Sequence, residues 1–313
     1  MDRQALLAHA EQSIARGSKS FAAASRLFDR ETRERVWLLY AWCRACDDLA
    51  DAQDHGGALG DQVDAAARLA TIRVRTDLAF AGEPTGDPAF DALGQLSREC
   101  DLTPAMAQDV IAGFALDADG WRPRTEADML RYCYHVAGAV GVMMAAVMGV
   151  PASDEDTLDR ACDLGLAFQL ANIARDVAED HAAGRCYLPS DWLDEAGITA
   201  ETLMNPRHRP ALAGIVRRLG ALETRYAASA RIGARRLKFR QRWAVLAAAG
   251  IYGAILREAL RRGETAFDTR ISTSSAAKLG FVLRGFVEAL LPATNGGKPS
   301  LSRRELAALT TFG

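Results

Sequence analysis

The chain has 313 residues, 49% of them hydrophobic and 25% charged, with a net charge of −2. A chain of this length can bury roughly three quarters of its unfolded surface, and its near-neutral balance excludes a global field for nucleic acid, so no nucleic-acid partner is expected. Six cysteines over this length do not make a disulfide framework.

The spacing predicts helices almost throughout, with apolar residues three and four apart, abundant Ala and no alternating strand pattern. The opening "MDRQALLAHAEQSIARGSKS" reads as an amphipathic helix and not as a signal peptide. With no targeting segment recognised, the expected location is cytoplasmic. The next strong element is "VWLLYAWCRACDDLAD" (36–51), apolar on nearly every side until Asp47, as a buried helix is. At 100° per residue, Tyr40, Arg44, Asp47 and Asp51 fall within a sector of about 60°, with Asp48 beside them. The C-x-x-C of Cys43 and Cys46 lies in this helix; it lacks a second pair or a His at zinc spacing and reads as packing.

Breaks are expected at 54–61, 81–88, 120–125, 149–156, after Gly184 and at 292–300. None is long enough for an interdomain linker, so one all-α domain of ten or more helices is expected. Residues 136–150 and 243–256 are wholly or almost wholly apolar but too short as runs to span a bilayer, and read as core helices. Tyr132, Tyr134 and His135 read as core, and Gly138 and Gly141 as points of close helix packing. The run "RRLKFRQR" (235–242) is a basic surface, with contact to anionic lipid as its second reading.

A helix from about Ser153 to Ala183, with Ser153 as its expected cap, repeats the pattern of 36–51. Gln169, Asn172, Asp176, Glu179 and Asp180 share a sector of about 100° beside an apolar stripe of Leu166, Leu170, Ile173 and Val177. Carboxylates crowd into the last turns of both helices, at the end the helix dipole disfavours. A solvated acidic face would account for one such helix. Two of them, one buried, point to something positive arriving between them. Mg²⁺ prefers carboxylate oxygens and shares its site with phosphates, Asn172 can add a carbonyl ligand, and Arg44 and Arg175 suit phosphate oxygens. The residues thus suggest a Mg²⁺–diphosphate site walled by apolar helices, suited to ionising an allylic diphosphate away from water.

Six segments carry a resemblance: "GSKSFAAASRLF" (17–28), "YAWCRACDDLAD" (40–51), "GFALD" (113–117), "RYCYHVAGAVGVMM" (131–144), "LAFQLANIARDVAEDHAAGRCYLP" (166–189) and "AAAGIYGAIL" (247–256). In this order and spacing they resemble the squalene/phytoene synthase family. The resemblance implies a single-domain isoprenoid synthase bundle over 1–313, with a central cavity, a catalytic core of about 10–290 and a short C-terminal tail. It implies Mg²⁺, or Mn²⁺ in its place, at Asp47, Asp51, Asn172, Asp176 and Asp180. It implies contacts from Gly17, Ser18, Lys19, Ser20, Tyr40, Arg44, Gln169, Arg175 and Tyr252 to isoprenoid diphosphates, with Tyr40, Arg44, Asp47, Asp51, Arg175 and Asp176 in the catalytic set.

The implied reaction joins two C20 geranylgeranyl diphosphates head to head, through prephytoene diphosphate to phytoene, as in carotenoid biosynthesis. No nicotinamide cofactor is expected. A squalene or dehydrosqualene synthase using C15 farnesyl diphosphate is the near alternative, and a non-catalytic helical interaction protein the alternative of another class. A C20 chain needs a deep pocket, and the small residues of "SFAAAS" (20–25) suggest Ser25 for its wall.

Overall fold

The computed structural model describes residues 1–53, 60–61, 63–292 and 301–309, excluding the side chains of Lys19 and Ser20. Every regular element among them is helical. The first are α1 (Arg3–Gly17), α2 (Lys19–Ser25) and α3 (Arg30–Ala50). Asp29 caps α3 by accepting from the Thr32 amide at 2.9 Å, so the helix begins six residues before the apolar run that announced it. Val36, Leu38, Leu39, Trp42 and Cys46 are fully buried along it, and the Trp42 indole donates to Thr76.

The chain continues through α4 (Ala65–Ala81), α5 (Pro88–Glu99) and α6 (Pro104–Ala118). Pro88 and Pro104 occupy first-turn positions, where a missing N–H costs nothing. Next, α7 (Glu126–Cys133) runs through a π-helical turn, Tyr134–Gly138, into α8 (Ala139–Val147).

Then comes α9 (Glu155–Ala182), whose 28 residues span roughly 42 Å. Its cap is Asp154, which accepts from the Thr157 amide, not the expected Ser153. The last elements are α10 (Ser190–Glu195), α11 (Arg209–Ala234), α12 (Phe239–Arg262), α13 (Ser275–Leu290) and α14 (Arg303–Ala308). The expected break at 292–300 lies outside the described residues but for Pro292, and most of that at 54–61 does too.

The main apolar core runs from Leu6 to Leu306, and Ala234, Leu246 and Ala289 form a small second cluster. Within it α9 packs on α8, α11 and α12, while α3 packs on α1, α4 and α5. The α8–α9 seam depends on glycine. A Cβ on Gly141 would strike the Ala161 carbonyl, and one on Gly165 the Ala137 carbonyl. The close packing read from Gly138 and Gly141 is therefore present, with Gly165 as its counterpart.

Two helical stretches, Glu126–Val147 and Phe239–Phe267, are long and apolar enough to cross a membrane, with 67% and 50% of their apolar windows buried in the protein. They exceed the runs at 136–150 and 243–256 because each helix continues past its apolar stretch. The expectation that they are too short is corrected; their place in the core is as expected.

Candidate active site

The ends of α3 and α9 face each other across a cavity of about 540 Å³. Its apolar part is formed by Val110, Phe114, Val136, Val140 and Ile173. Its polar part holds Asp47 and Asp51 from α3, Asp176 and Asp180 from α9, and Asp117 from the end of α6. Tyr40, Arg44, Gln169, Asn172 and Tyr252 complete the wall together with Cys43, Tyr132, Arg185 and Tyr187. The two acid-bearing helices thus meet around one space. Asp48 and Glu179 are not part of its wall, and Glu179 is exposed.

Local turns explain how the side chains arrive. Gly184 adopts φ 73°, the left-handed conformation that ends a helix, and the Arg185 amide folds back onto the Asp180 carbonyl at 2.8 Å. Arg185 and Tyr187 are thereby returned to the cavity, where Arg185 donates to Asp51 at 2.7 Å. Tyr252 is held by stacking on Phe168 at 4.0 Å between ring centroids. Gly17 ends α1 against the wall: a Cβ there would clash with the Tyr40 hydroxyl and lie 3.3 Å from Arg44 Nε. Ser18 caps α2 by accepting from the Phe21 amide. The side chains of Lys19 and Ser20 lie outside the described residues.

Charge is unevenly compensated. Arg44 donates to Asp47 at 2.6 Å, yet burial pushes the Asp47 carboxyl up to about 6. Burial, with Asp176 adding to it, pushes Asp180 up to about 7. Burial also raises Asp117. Asp176 differs: burial would raise it, but Arg175 and Arg270 both donate to it and hold it below the usual carboxylate range. Arg175 itself is drawn onto Asp176 and does not line the cavity. Burial pushes the Cys43 thiol up to about 12, so it carries no thiolate chemistry at neutral pH.

Three buried polar atoms at the site have no protein partner: the Tyr40 hydroxyl, Arg44 Nε and Asn172 Oδ1. Buried polar groups are nearly always paired, so two donors and one acceptor aimed at one cavity wall mark a place for a polar ligand. Among the described residues no three His, Cys, Asp or Glu side chains converge as a ready-made metal cage. An all-oxygen set spread over two facing helices, with raised carboxyls and an unpaired amide oxygen, fits a hard divalent cation that takes its remaining ligands from a phosphate.

Several residues of the wall escaped the sequence reading. Asp117 accepts from the Tyr187 hydroxyl at 2.8 Å and the Tyr132 hydroxyl at 3.2 Å. Tyr132 sits in a stack between Trp121 and Tyr187. Tyr132, read as core, is indeed buried but also lines the cavity. Asp117 stood in the quoted "GFALD", and Arg185 and Tyr187 just after the helix-stopping Gly184; that an acid closes one apolar helix was the available signal. Ser25 is not on the wall. It is fully buried, its hydroxyl donating to the Ala22 carbonyl and accepting from the Trp37 indole.

The described residues define an all-helical protein with acids and arginines gathered beside an apolar wall in one cavity. The chain belongs to the squalene/phytoene synthase family, which it matches over residues 14–277. It is 47% identical to a phytoene synthase of Pseudescherichia vulneris, covering 90% of this chain and 92% of the relative. It is 45% identical to a 15-cis-phytoene synthase of Pantoea ananas, covering 93% and 94%. A dehydrosqualene synthase crystallised with a ligand superposes with a TM-score of 0.80 at 27% identity, over 90% of this chain and 96% of that one.

Proposed function

We propose that this chain is a single catalytic unit that condenses two geranylgeranyl diphosphates head to head and releases phytoene. The observation that carries the reading is the pair of facing acid-bearing helix ends, α3 and α9, lining one cavity together with an apolar wall. The identity of 45–47% to relatives named phytoene synthases supports the C20 substrate.

Asp47, Asp51, Asn172, Asp176 and Asp180 would hold Mg²⁺, or Mn²⁺ in its place. The bound metal supplies Lewis-acid neutralisation of the diphosphate as it leaves. Tyr40 and Arg44 offer the unpaired hydroxyl and Nε–H to diphosphate oxygens. Arg175 and Arg185, now on Asp176 and Asp51, would turn to the same oxygens. Gln169 positions Asn172, whose amide donates to it at 3.3 Å. Gly17 and Ser18, with Lys19 and Ser20 at the start of α2, would meet the diphosphate at the junction where Gly17 lies against Tyr40 and Arg44.

The wall of Val110, Phe114, Val136, Val140 and Ile173 would exclude water from the allylic cation, and the rings of Tyr187 and Tyr252, each stacked on one face only, would offer it π density. In the condensation C1 of the ionised substrate bonds to the double bond of the second. One diphosphate and one proton leave as the cyclopropane closes, and a second diphosphate and proton leave in the rearrangement. No step needs a reductant.

The test is incubation of the purified protein with geranylgeranyl diphosphate and Mg²⁺, with and without NADPH. Phytoene in equal amount under both conditions is the expected result. A product that needs NADPH, or preferred turnover of farnesyl diphosphate, would move the protein to squalene or dehydrosqualene synthesis. No turnover of either diphosphate would leave a binding protein.

A further inference from the structure

All but the first turn of α13 lies beyond the residues matched by the family, and its surface is unlike that of the other helices. It carries apolar side chains on two opposite sides. One side packs on α12, where Gly250 meets Phe281 and Ala247 meets Gly285. The opposite side points out: Leu279, Leu283, Val287 and Leu290 are 60%, 61%, 61% and 63% exposed. These positions recur every three or four residues, so they form one stripe along a helix of about 24 Å. Phe286 and Leu291 extend it. A contiguous exposed apolar face of this kind marks an interaction surface.

The turn between α11 and α12 frames the C-terminal end of the stripe. Arg235 donates to the Pro292 carbonyl and Arg242 to the Ala289 carbonyl. Phe239 and Trp243 each pack edge-on against Phe286, and Phe239 is itself exposed. Residues 231–243 and 275–290 together contain eight Arg and Lys residues against a single carboxylate, Glu288. That carboxylate is turned to Arg231, which donates to it at 2.6 Å. Lys238, Arg240 and Arg284 are exposed.

We propose that the outer face of α13, with the basic and aromatic turn at 235–243, docks the protein on an anionic lipid surface. The stripe supplies apolar area to the acyl boundary, the aromatics sit at headgroup level and the cations meet lipid phosphates. The alternative occupant, a second copy across a two-fold axis, would set this cationic surface against itself, because such an interface is self-complementary. Lipid docking also suits a protein whose substrates and product are lipids, a point that rests on the function proposed above. Tyr252 faces the cavity from the same helix, α12, whose Ala247 and Gly250 face α13, so docking places the membrane about two helix layers from the site.

The test is co-sedimentation of the full chain with vesicles of phosphatidylcholine alone or mixed equally with phosphatidylglycerol. The wild type is expected to pellet with the anionic vesicles, several-fold less with the neutral ones, and less as salt rises. Leu283→Glu with Leu290→Glu should reduce pelleting by at least about tenfold, since each leucine loses its apolar transfer, with the thermal midpoint unchanged because both positions are exposed. Should that variant fold poorly, Leu283→Ser with Leu290→Ser gives the same reading more mildly. Lys238→Gln with Arg284→Gln should remove the preference for anionic lipid. Wild-type protein that stays in the supernatant, or leucine variants that pellet like the wild type, would overturn the proposal. So would a concentration-dependent dimer in ultracentrifugation that the same variants abolish. None of these readouts uses turnover, so a failure here is separate from a failure of the synthase reading.

Discussion

The two halves of α9 bury polar side chains under opposite rules. In the N-terminal half Arg160 donates to Asp156 and to Ser229, and Ser229 in turn donates to Asp163 at 2.5 Å. Arg236 adds a second cation to Asp156. Here the polar groups fasten α9 to α11, and none of them lines the cavity of the candidate site. In the C-terminal half Asn172 keeps an unpaired oxygen, and burial leaves Asp180 titrating at about 7. One helix carries a network that satisfies itself and another that a ligand must complete. Charge content does not separate them; satisfaction does.

The sharpest way to break this comparison is to remove one acid from the open half. Asp176→Asn should lower turnover of geranylgeranyl diphosphate by about 10²–10³-fold, the usual effect of losing one group that meets transition-state charge, with far-ultraviolet helicity retained. Turnover near wild type would remove α9 from the chemistry. Ser229→Ala in the closed half should do the reverse. It withdraws partners from Asp163 and Arg160 and should cost roughly 1–3 kcal/mol in denaturant unfolding, with turnover per folded molecule unchanged.

The smallest effect is also the most discriminating. In EDTA, Asp180→Asn should raise stability at pH 8 by roughly 1–2 kcal/mol, a figure reduced for solvent screening. Asp180 titrates at about 7 when folded and near the ordinary carboxyl value of 3.8 when unfolded. Between these values the unfolded chain has already released the proton that the folded chain keeps, so the wild type loses stability as pH rises through the window. The Asn variant loses none. Its advantage is absent near pH 4 and complete above 7. Unfolding midpoints at the two pH values check this, and an equal advantage at both would refute it.

The closed and open halves were not equally readable in the sequence. The helical class and the buried α3 followed from spacing, whereas the facing of the two sets of acids was implied by the family resemblance. Helical phase also placed Gln169, Asn172, Asp176 and Asp180 together, because all four sit on one helix. What phase cannot give is the partner from another element. The bond from Arg185 to Asp51 spans 134 residues and that from Arg270 to Asp176 spans 94. The Asp163–Ser229 pair was invisible for the same reason. Ser25 failed differently: its small size suggested space, whereas its hydroxyl was already committed to Trp37.

Gly165 shares its side of α9 with Gln169, Asn172 and Asp176, since offsets of four, seven and eleven residues return near the same angle. That side is pressed against the Ala137 carbonyl at Gly165 and opens into the cavity from Gln169 to Asp176, about one to three turns later. Mechanically the helix is a lever clamped at one end. A single methyl group at position 165 would lift the clamp and swing the amide and carboxylates at the far end, about 16 Å away. A position that touches no ligand therefore sets the aim of those that do.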